Sequence, residues 1–326
     1  MKCPSRHARR RQRGAALLTA LLLVTLVTSL ASAMIWRQYR AVQIEAADRA
    51  RAQSAWILQG ALDWARLILR EDARANQREA VDHLGEVWAV PLAEARLSTF
   101  LAADQDGKKA PGDDAADGPE AFLSGQLSDA QALYNLRNLT VGEQVPAAEL
   151  RTLQRLCDSA GVPSGTAQVL AKQLRAAAGL SEDKNQAPLM PHTVDELSWL
   201  GLSGDVVKRL KPFVTLLPQK TPVNLNTAPR EVIAALFEGM DLGSAERIVR
   251  DRINQPLKTQ ADIQRYLPQG VPPDESRAGV ASAYFFITGT LRLDERVLQE
   301  RSLVWRNGLE MRVVARERVN LMLQAP

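Results

Sequence analysis

Hydrophobic and polar positions along residues 15–76 predict one long helix. Residues 15–36 contain no charged side chain, and as a helix rising ~1.5 Å per residue these 22 residues would cross the ~30 Å hydrocarbon core of a bilayer. Beyond this span, apolar residues recur at steps of three, four or seven from Tyr39 to Ile68, which keeps them on one helix face. Because the stretch has no proline and a single glycine, Gly60, the pattern predicts a continuous helix that begins in a membrane.

Two processing sites compete at this helix. Ala31-Ser32-Ala33 would serve an ordinary secretory signal, and cleavage there would release a soluble protein starting at Met34. Alternatively, the basic leader ends at Arg13-Gly14 directly before Ala15, and such a leader resembles that of a type IV prepilin, which is cut on the cytoplasmic side so that the apolar helix is retained. The helical pattern beyond the span favours the second interpretation, since a removable signal has no need of it. The basic end would stay cytoplasmic, so the rest of the chain would face outward.

The charge balance changes once residues 1–14 are set aside. They hold six of the 41 Lys and Arg residues and no acid, so 35 basic residues remain against 37 acidic ones, a net charge of −2. A basic surface for nucleic acid is therefore not indicated. Cys3 leaves with the leader and Cys157 remains alone, so the mature chain can form no internal disulfide. With three histidines, a Cys/His zinc site is excluded as well.

The middle of the chain predicts strands and then helices. Strands are expected at 91–101 and from residue 122, on either side of a Gly-, Pro- and Asp-rich loop at 102–120. Glycine and proline then separate a series of helical segments. The predicted helices lie at 149–160, 166–179, 194–199, 205–213, 230–238, 245–254 and 259–266.

Four threonine or serine residues mark predicted helix starts. Thr193 and Glu196 have the spacing of a capping box, in which hydroxyl and carboxylate satisfy two backbone amides. Thr227, Ser244 and Thr259 are expected to open the last three helices.

The C-terminal residues predict an antiparallel sheet. Residues 282–293 are rich in aromatic and β-branched side chains, and 297–306 and 309–319 flank Asn307-Gly308, a hairpin signal because both positions need positive φ. Apolar and charged residues alternate along the last segment, which predicts one buried and one wet face. The residues expected inside are Leu309, Met311, Val313 and Ala315. The outline is a helical domain that interrupts an α/β unit.

The helical block also offers a DNA-binding alternative. Asn224-Leu-Asn226-Thr227-Ala228 leads into a helix, a turn at 239–243 and a second helix, an order similar to a helix-hairpin-helix that grips phosphate through backbone amides. The turn is longer than the usual Gly-x-Gly and carries Asp241 where a phosphate would lie. A plain scaffold is the preferred interpretation, and a periplasmic DNA-binding protein of the competence type is the alternative.

Candidate metal and catalytic residues are few. Asp104 and Asp106 have a ligand-like spacing, but no Glu closes a twelve-residue calcium loop, so a solvated surface loop is preferred. Ser181 and Lys184 fit Ser-x-x-Lys in a polar loop without companion motifs, and the sequence has no Walker loop, His-Glu-x-x-His or Gly-x-Ser-x-Gly. No catalytic residue is assigned, and no enzymatic role is expected.

Several short motifs occur in combination with the leader. They are Gly125-Gln-Leu-Ser-Asp129, Tyr134-Asn-Leu-Arg-Asn138-Leu139, Val194-Asp-Glu-Leu197 and Pro222-Val-Asn224-Leu-Asn226-Thr227-Ala228. Together with Gly14/Ala15 they resemble the K-type minor pseudopilins of the type II (general) secretion pathway, over nearly the whole mature chain. Asn224, Asn226, Thr227 and Ala228 carry the most specific of these motifs.

The resemblance implies an α+β fold with a long N-terminal pilin helix packed on an antiparallel sheet and interrupted by a large all-α insert. The implied divisions are a prepilin leader at 1–14, a transmembrane helix at 15–36, the first part of a pilin-like α/β domain at 37–145, an inserted helical domain at 146–278 and the C-terminal part of the pilin-like sheet at 279–326.

The resemblance also implies a location and partners. Prepilin peptidase would cut between Gly14 and Ala15, after Arg13, and the new N-terminus would be methylated. The chain would span the inner membrane once with its bulk in the periplasm. There it would join the I-type and J-type minor pseudopilins, with other pseudopilins, at the tip of a pseudopilus that exports folded proteins, within reach of secreted substrates. No nucleic acid partner is expected.

Thr19 is expected to be specific to the tip position. Most pilins carry Glu at the fifth mature position, where it pairs with the terminal amine of a neighbouring subunit, and K-type subunits resemble this chain in lacking it. A carboxylate inside a bilayer costs ~2.5–3.5 kcal/mol and needs a partner. The Thr19 hydroxyl can instead return to carbonyls of its own helix.

One departure from the family concerns calcium. K-type proteins usually carry an acidic run in the helical insert that is associated with calcium, and at the corresponding place this chain reads Gln173-Leu-Arg-Ala-Ala-Ala-Gly179-Leu-Ser-Glu182-Asp183. Most of the carboxylates are missing. Calcium is therefore implied by the resemblance alone, and no metal ligand or other cofactor is assigned.

Overall fold

A computed structural model describes residues 13–77, 80–97, 121–180, 187–293 and 296–322. The chain divides into two compact units, Met1–Ile57 and Leu58–Pro326. The acidic loop predicted at 102–120 and the Ser-x-x-Lys residues Ser181 and Lys184 lie outside the described residues.

The predicted long helix is found as α1, Arg13–Ala75. By length and composition its segment Ala15–Ala75 is the one helix in the described ranges that could cross a membrane. In the first unit most of its apolar side chains are exposed, among them Leu22, Trp36 and Val42. Three threonines in the apolar span, Thr19, Thr25 and Thr28, donate their hydroxyls to carbonyls one turn earlier, so these three polar groups are satisfied within the helix.

The second unit contains a five-stranded antiparallel sheet in the order β1-β2-β7-β8-β9. Its strands are β1 Leu92–Arg96, β2 Ala121–Asp129, β7 Tyr284–Leu293, β8 Arg296–Asn307 and β9 Glu310–Met322. The predicted α+β class is thus confirmed. Of the strand predicted at 91–101, Leu92–Arg96 is found as β1, and residues 98–101 lie outside the described residues.

The hairpin between β8 and β9 lies one residue later than predicted. Asn307 still pairs with Glu310, so the two turn residues are Gly308, with φ of 57°, and Leu309. The register then shifts between Leu303 and Val304, which leaves Val314 as an extra residue, a β-bulge. Because of the turn and the bulge, the predicted alternation holds only in part. Met311 is buried and Val313 half-buried, whereas Leu309 and Ala315 are exposed.

The two faces of the sheet contact different elements. The first face carries Phe285, Ile287 and Val304, which pack with Leu62 and Leu69 of α1. The Trp88 ring also lies edge-on to Phe285, with centroids 5.2 Å apart. The second face carries Tyr284, Phe286, Leu303 and Trp305, which pack with Ala130 and Leu217. Helix and sheet therefore share one apolar core, and the remaining helices lie toward the other face.

The helical part, residues 130–278, lies between β2 and β7. Its helices are α2 Ala147–Ser159, α3 Thr166–Ala177, α4 Gly204–Leu210, α5 Arg230–Leu236, α6 Leu242–Asn254 and α7 Gln260–Gln264. Four short strands join its segments in parallel pairs, β3 Tyr134–Asn135 with β4 Val214–Thr215 and β5 Val223–Asn224 with β6 Ala278–Gly279. Its core includes Tyr134, Leu136 and Leu139, upstream of the limit predicted at 146.

The helix starts differ from prediction in three places. Residues 195–200 form a 3₁₀ helix. The Glu196 carboxylate accepts hydrogen bonds from the amides of His192 and Thr193, but among the described residues no amide donates to the Thr193 hydroxyl in return. Asp241, not Ser244, caps α6, because its carboxylate accepts the Ser244 amide. Pro229 precedes α5 without a side-chain cap, since the Thr227 hydroxyl donates elsewhere. The start predicted at Thr259 is confirmed, with a full capping box to Asp262.

Candidate functional site

The proposed processing site lies at the beginning of α1. The helix starts at Arg13, so Gly14 and Ala15 continue directly into the apolar segment. The Thr19 hydroxyl donates to the carbonyls of Ala15 and Ala16, at 3.1 and 3.0 Å. The predicted return of this hydroxyl to its own helix is therefore found. The cleavage itself and the tip-specific role of Thr19 stay predictions.

The motif residues Asn224 and Thr227 meet at a buried carboxylate. Asp129, at the end of β2, accepts hydrogen bonds on Oδ2 from Asn224 Nδ2 at 2.9 Å, from Thr227 Oγ1 at 2.6 Å and from Ser282 Oγ at 2.7 Å. Its Oδ1 accepts the amide of Gln131 at 2.7 Å. These residues, which we call the Asp129 network, join the end of β2, the helical part and the chain entering β7.

Asn226 and Ala228 hold the neighbouring backbone. The Asn226 side chain donates to the Leu257 carbonyl at 2.9 Å and accepts the Leu257 amide at 2.8 Å. It thus satisfies both backbone groups of Leu257, as a neighbouring strand would. Ala228 is fully buried, and its carbonyl and that of Leu225 accept from Arg252 Nη1, both at 2.6 Å. The motif thus fixes the link between β5, α5 and α6.

A second polar cluster, which we call the Arg306 network, lies beside the first. The Arg306 guanidinium contacts the Asp82 carboxylate, donates to Asp72 Oδ2 at 3.1 Å and donates to the Ser282 carbonyl at 2.7 Å. Asp82 Oδ2 also accepts the Ser282 amide at 2.7 Å. Arg306, in β8, therefore connects α1, the loop after it and the chain entering β7.

Burial changes the acidity of these carboxyl groups. It raises the pKa of Asp129 to about 6, against the hydrogen bonds from Thr227, Ser282 and the Gln131 amide. It also raises the pKa of Asp72 to about 6, with Glu86 and Asp82 acting in the same direction and Arg306 opposing them. Burial also raises the pKa of Asp82 above its ordinary value, although Arg306 opposes this change. The two clusters consequently titrate above the ordinary range of carboxylic acids.

We expect stability to fall as the pH rises from 5 to 7.5. The pKa of Asp72 and Asp129 in the folded protein, about 6, lies above the ordinary value of an aspartic acid. A raised carboxyl pKa contributes stability that is fully present below the unfolded value and is lost as the pH passes the folded value, here about 6. The thermal unfolding midpoint should be higher at pH 5, and Asp129→Asn should make its pH dependence shallower. An unchanged slope in that variant would contradict the assignment.

Three acidic side chains at the Arg306 network lie close together, and donors of the protein already bind them. Among the residues that the structure describes, Asp72, Asp82 and Glu86 have carboxylate oxygens within 4.8 Å of one another. Arg306 binds the first two, and Glu86 accepts from Asn76 Nδ2 and Trp88 Nε1, both at 2.7 Å. The arrangement fits an arginine and not a divalent cation.

The described residues of the corresponding segment do not fit the calcium implied by the family resemblance either. The described part of the corresponding segment, 173–180, contains no carboxylate. Its one charged side chain is Arg175, which donates to the carbonyls of Leu139, Gly142 and Glu143. An arginine supplies positive charge where a calcium ion needs oxygen ligands. Glu182 and Asp183 lie outside the described residues.

The helix-hairpin-helix alternative can be judged at the turn between α5 and α6. Gly239 has φ of 78°, as a tight turn requires. The amide of Ser244 at the start of α6, however, donates to the Asp241 carboxylate at 2.6 Å. A carboxylate of the chain itself thus occupies the position at which a phosphate would bind. This turn does not favour a DNA grip.

The sequence predicted only part of these clusters. Asn224 and Thr227 belong to the motif at 222–228, and Asp129 ends the motif at 125–129. Asp82, Ser282 and Arg306 were missed, because each stands alone in a segment with no motif of its own. Their contacts span 82 to 306 in sequence, which no local pattern reveals.

Comparisons with known proteins agree with the motifs. A family model described as "Type II secretion system (T2SS), protein K" matches residues 223–280, and another with that description matches 132–219. Type II secretion system protein K of Pseudomonas aeruginosa is 31% identical, with 95% of this chain and 93% of that protein covered. The protein of the same name from Pectobacterium carotovorum is 25% identical, with 95% and 97% covered.

A solved structure shares the fold. It is a chain of the GspK-GspI-GspJ complex from the type 2 secretion system of enterotoxigenic Escherichia coli, 21% identical, with a TM-score of 0.58 and with 84% of this chain and 98% of that one covered. At that identity the likeness concerns the fold alone. The similarity to the Pseudomonas protein, by contrast, covers nearly the whole of both sequences. The chain therefore belongs to the type II secretion system protein K family, the minor pseudopilins that its motifs resemble.

Proposed function

We propose that the chain forms the tip of a periplasmic pseudopilus together with I-type and J-type minor pseudopilins, and helps to initiate pseudopilus assembly and the export of folded proteins. The observation that carries this proposal is the shared fold with a chain solved in a complex with GspI and GspJ. The exposed apolar face of α1 supports it, because an apolar face outside the lipid needs a protein partner.

We further propose that prepilin peptidase cuts between Gly14 and Ala15, that the new N-terminus is methylated and that the helix anchors the chain once in the inner membrane. The basic residues before the span support this orientation. Thr19 supports a terminal position. Its hydroxyl bonds to Ala15 and Ala16 without help from a neighbour, so the subunit needs no partner beyond it in the bilayer.

The helical part would cap the assembly, where its bulk blocks further subunits and stands within reach of secreted proteins and other pseudopilins. The role is one of assembly, without enzymatic activity and without a nucleic acid partner. No metal ligand is assigned to it.

Co-purification of the full chain with I-type and J-type pseudopilins in detergent tests the proposal. Val42 belongs to the apolar stripe and is 65% exposed, and the next residue, Gln43, points to another side of the helix. Val42→Glu would place an unpaired charge in the helix contact, so we expect recovery of the partners to fall at least about tenfold, equivalent to ~1.4 kcal/mol. Gln43→Glu adds the same charge and should leave recovery unchanged. A wild-type chain that recovers neither partner would refute the tip assignment.

A further inference from the structure

A cleft separates the helical part from the second face of the sheet. Its volume is about 440 Å³. The helical part contributes residues 192–196, Lys211 and 214–216 to the walls, and the sheet contributes Phe286 and Arg301 among others. Buried apolar side chains complete the lining, namely Val214, Leu216 and Leu303. Charged side chains from both walls also line the cleft, among them Lys211, Arg316 and Glu317, and Arg301 lies over the aromatic ring of Phe286.

Arg301 lies in this cleft with its hydrogen-bonding groups unused. Its guanidinium carbon is 3.7 Å from the centroid of the Phe286 ring, so one face of the planar group is stacked. In the described part of the chain no hydrogen bond or ion pair reaches this guanidinium. Three other arginines of the β8–β9 hairpin, Arg306, Arg316 and Arg318, each contact a carboxylate. Arg301 thus presents a half-buried fork of N–H donors without an acceptor.

The acids around Arg301 are mostly engaged elsewhere. Asp195 pairs with Lys211 Nζ at 2.6 Å. The Glu196 carboxylate accepts two backbone amides. Glu317 stands directly opposite Arg301 on β9 and is exposed, and within the described residues it makes no ion pair. Burial lowers the pKa of Arg301, and Glu317 and Asp195 oppose that change without bonding to it. Among the described residues, Glu317 is therefore the acid best placed to compete for the guanidinium.

We propose that this cleft binds an acidic side chain carried on an extended segment of a partner protein. The carboxylate would accept two parallel hydrogen bonds from the edge of the Arg301 guanidinium, whose stacking on Phe286 fixes its plane. Apolar residues beside that acid would lie against Val214, Leu216 and Leu303. The occupant is a protein segment and not a small carboxylate, because the cleft has room and apolar lining well beyond a carboxylate group. This site does not depend on the pseudopilus tip.

A peptide titration of the full chain in detergent tests the proposal. The probe is the end-blocked peptide Gly-Leu-Glu-Leu-Gly, with Gly-Leu-Gln-Leu-Gly as its uncharged counterpart, and binding is followed by ligand-observed NMR. We expect the Glu peptide to bind at least about tenfold more tightly and to weaken with salt. Arg301→Gln should remove the difference, and Glu317→Gln should strengthen binding of the Glu peptide. Arg318→Gln, on a residue that is 60% exposed on the same hairpin, should change nothing.

Two further results of this titration would overturn the proposal. Equal binding of the two peptides, or a Glu preference that survives Arg301→Gln, would overturn it. Sodium acetate that competes as strongly as the pentapeptide would show a site for small carboxylates and overturn the choice of a protein segment. If Arg301→Gln lowers the unfolding midpoint, Arg301→Lys provides the second variant. It keeps the charge but loses the planar fork, and it should lose most of the preference for Glu.

Discussion

Replacing Arg306 by methionine is expected to lower the free energy of unfolding by about 3–5 kcal/mol, because it leaves a buried carboxylate without its cation. The Asp82 side chain is 1% exposed, and both its oxygens contact Arg306. Asp72, 10% exposed, loses the same partner. Tryptophan fluorescence during urea unfolding measures the effect, since Trp88 is buried in the adjacent core.

Arg318→Met is the matched control for this prediction. Arg318 also pairs with an acid, Glu300, but its side chain is 60% exposed, and Glu300 keeps Arg316 as a second partner. Exposed pairs contribute about 0–1 kcal/mol, so this variant should unfold almost as the wild type does. If Arg306→Met and Arg318→Met have the same free energy of unfolding, the buried contacts of Arg306 do not stabilise the fold as predicted.

Replacing Asp129 by alanine is expected to lower the free energy of unfolding by about 3–5 kcal/mol as well. The substitution removes the acceptor of four hydrogen bonds, those from Asn224, Thr227, Ser282 and the Gln131 amide. Each buried donor left without a partner costs about 1–3 kcal/mol, and rotation of the two hydroxyls relieves part of that sum.

Single and double variants test whether these bonds act as one network. Thr227→Ala and Asp129→Ala remove the two ends of the same 2.6 Å hydrogen bond. The double variant should therefore lose less free energy of unfolding than the two single variants lose together. Asp205→Ala is the control, because Asp205 is 69% exposed and pairs with Arg209 at the surface. Strict additivity of the first two variants would contradict the contact.

The parts of the fold that depend on local pattern were predictable from the sequence. α1 follows from a helical apolar period without proline, and Asn307-Gly308 predicted the β8–β9 hairpin to within one residue of its turn. The bulge at Val314 was not predictable, because it depends on how β9 pairs with β8 and not on its own residues. The same holds for the start of α6, where Asp241 competes with Ser244 for the cap position.

The candidate site divides in the same way. The motif around Asn224 marked residues 222–228 as characteristic of the family, and the leader predicted that the apolar helix is retained. The motif gave no indication that its amide and hydroxyl groups bind Asp129, nor that Asp82 and Arg306 lie beside them. Those contacts join segments that are more than 90 residues apart, so only the folded chain brings them together.

The central claim is that the apolar helix stays on the mature protein. Intact mass and N-terminal sequencing of the native protein from the membrane fraction test it most directly. The account predicts a chain that begins at Ala15, with a methyl group on its amine. A soluble chain that begins at Met34 would contradict it, because the anchor and the partner-facing part of α1 could not then act together in a pseudopilus.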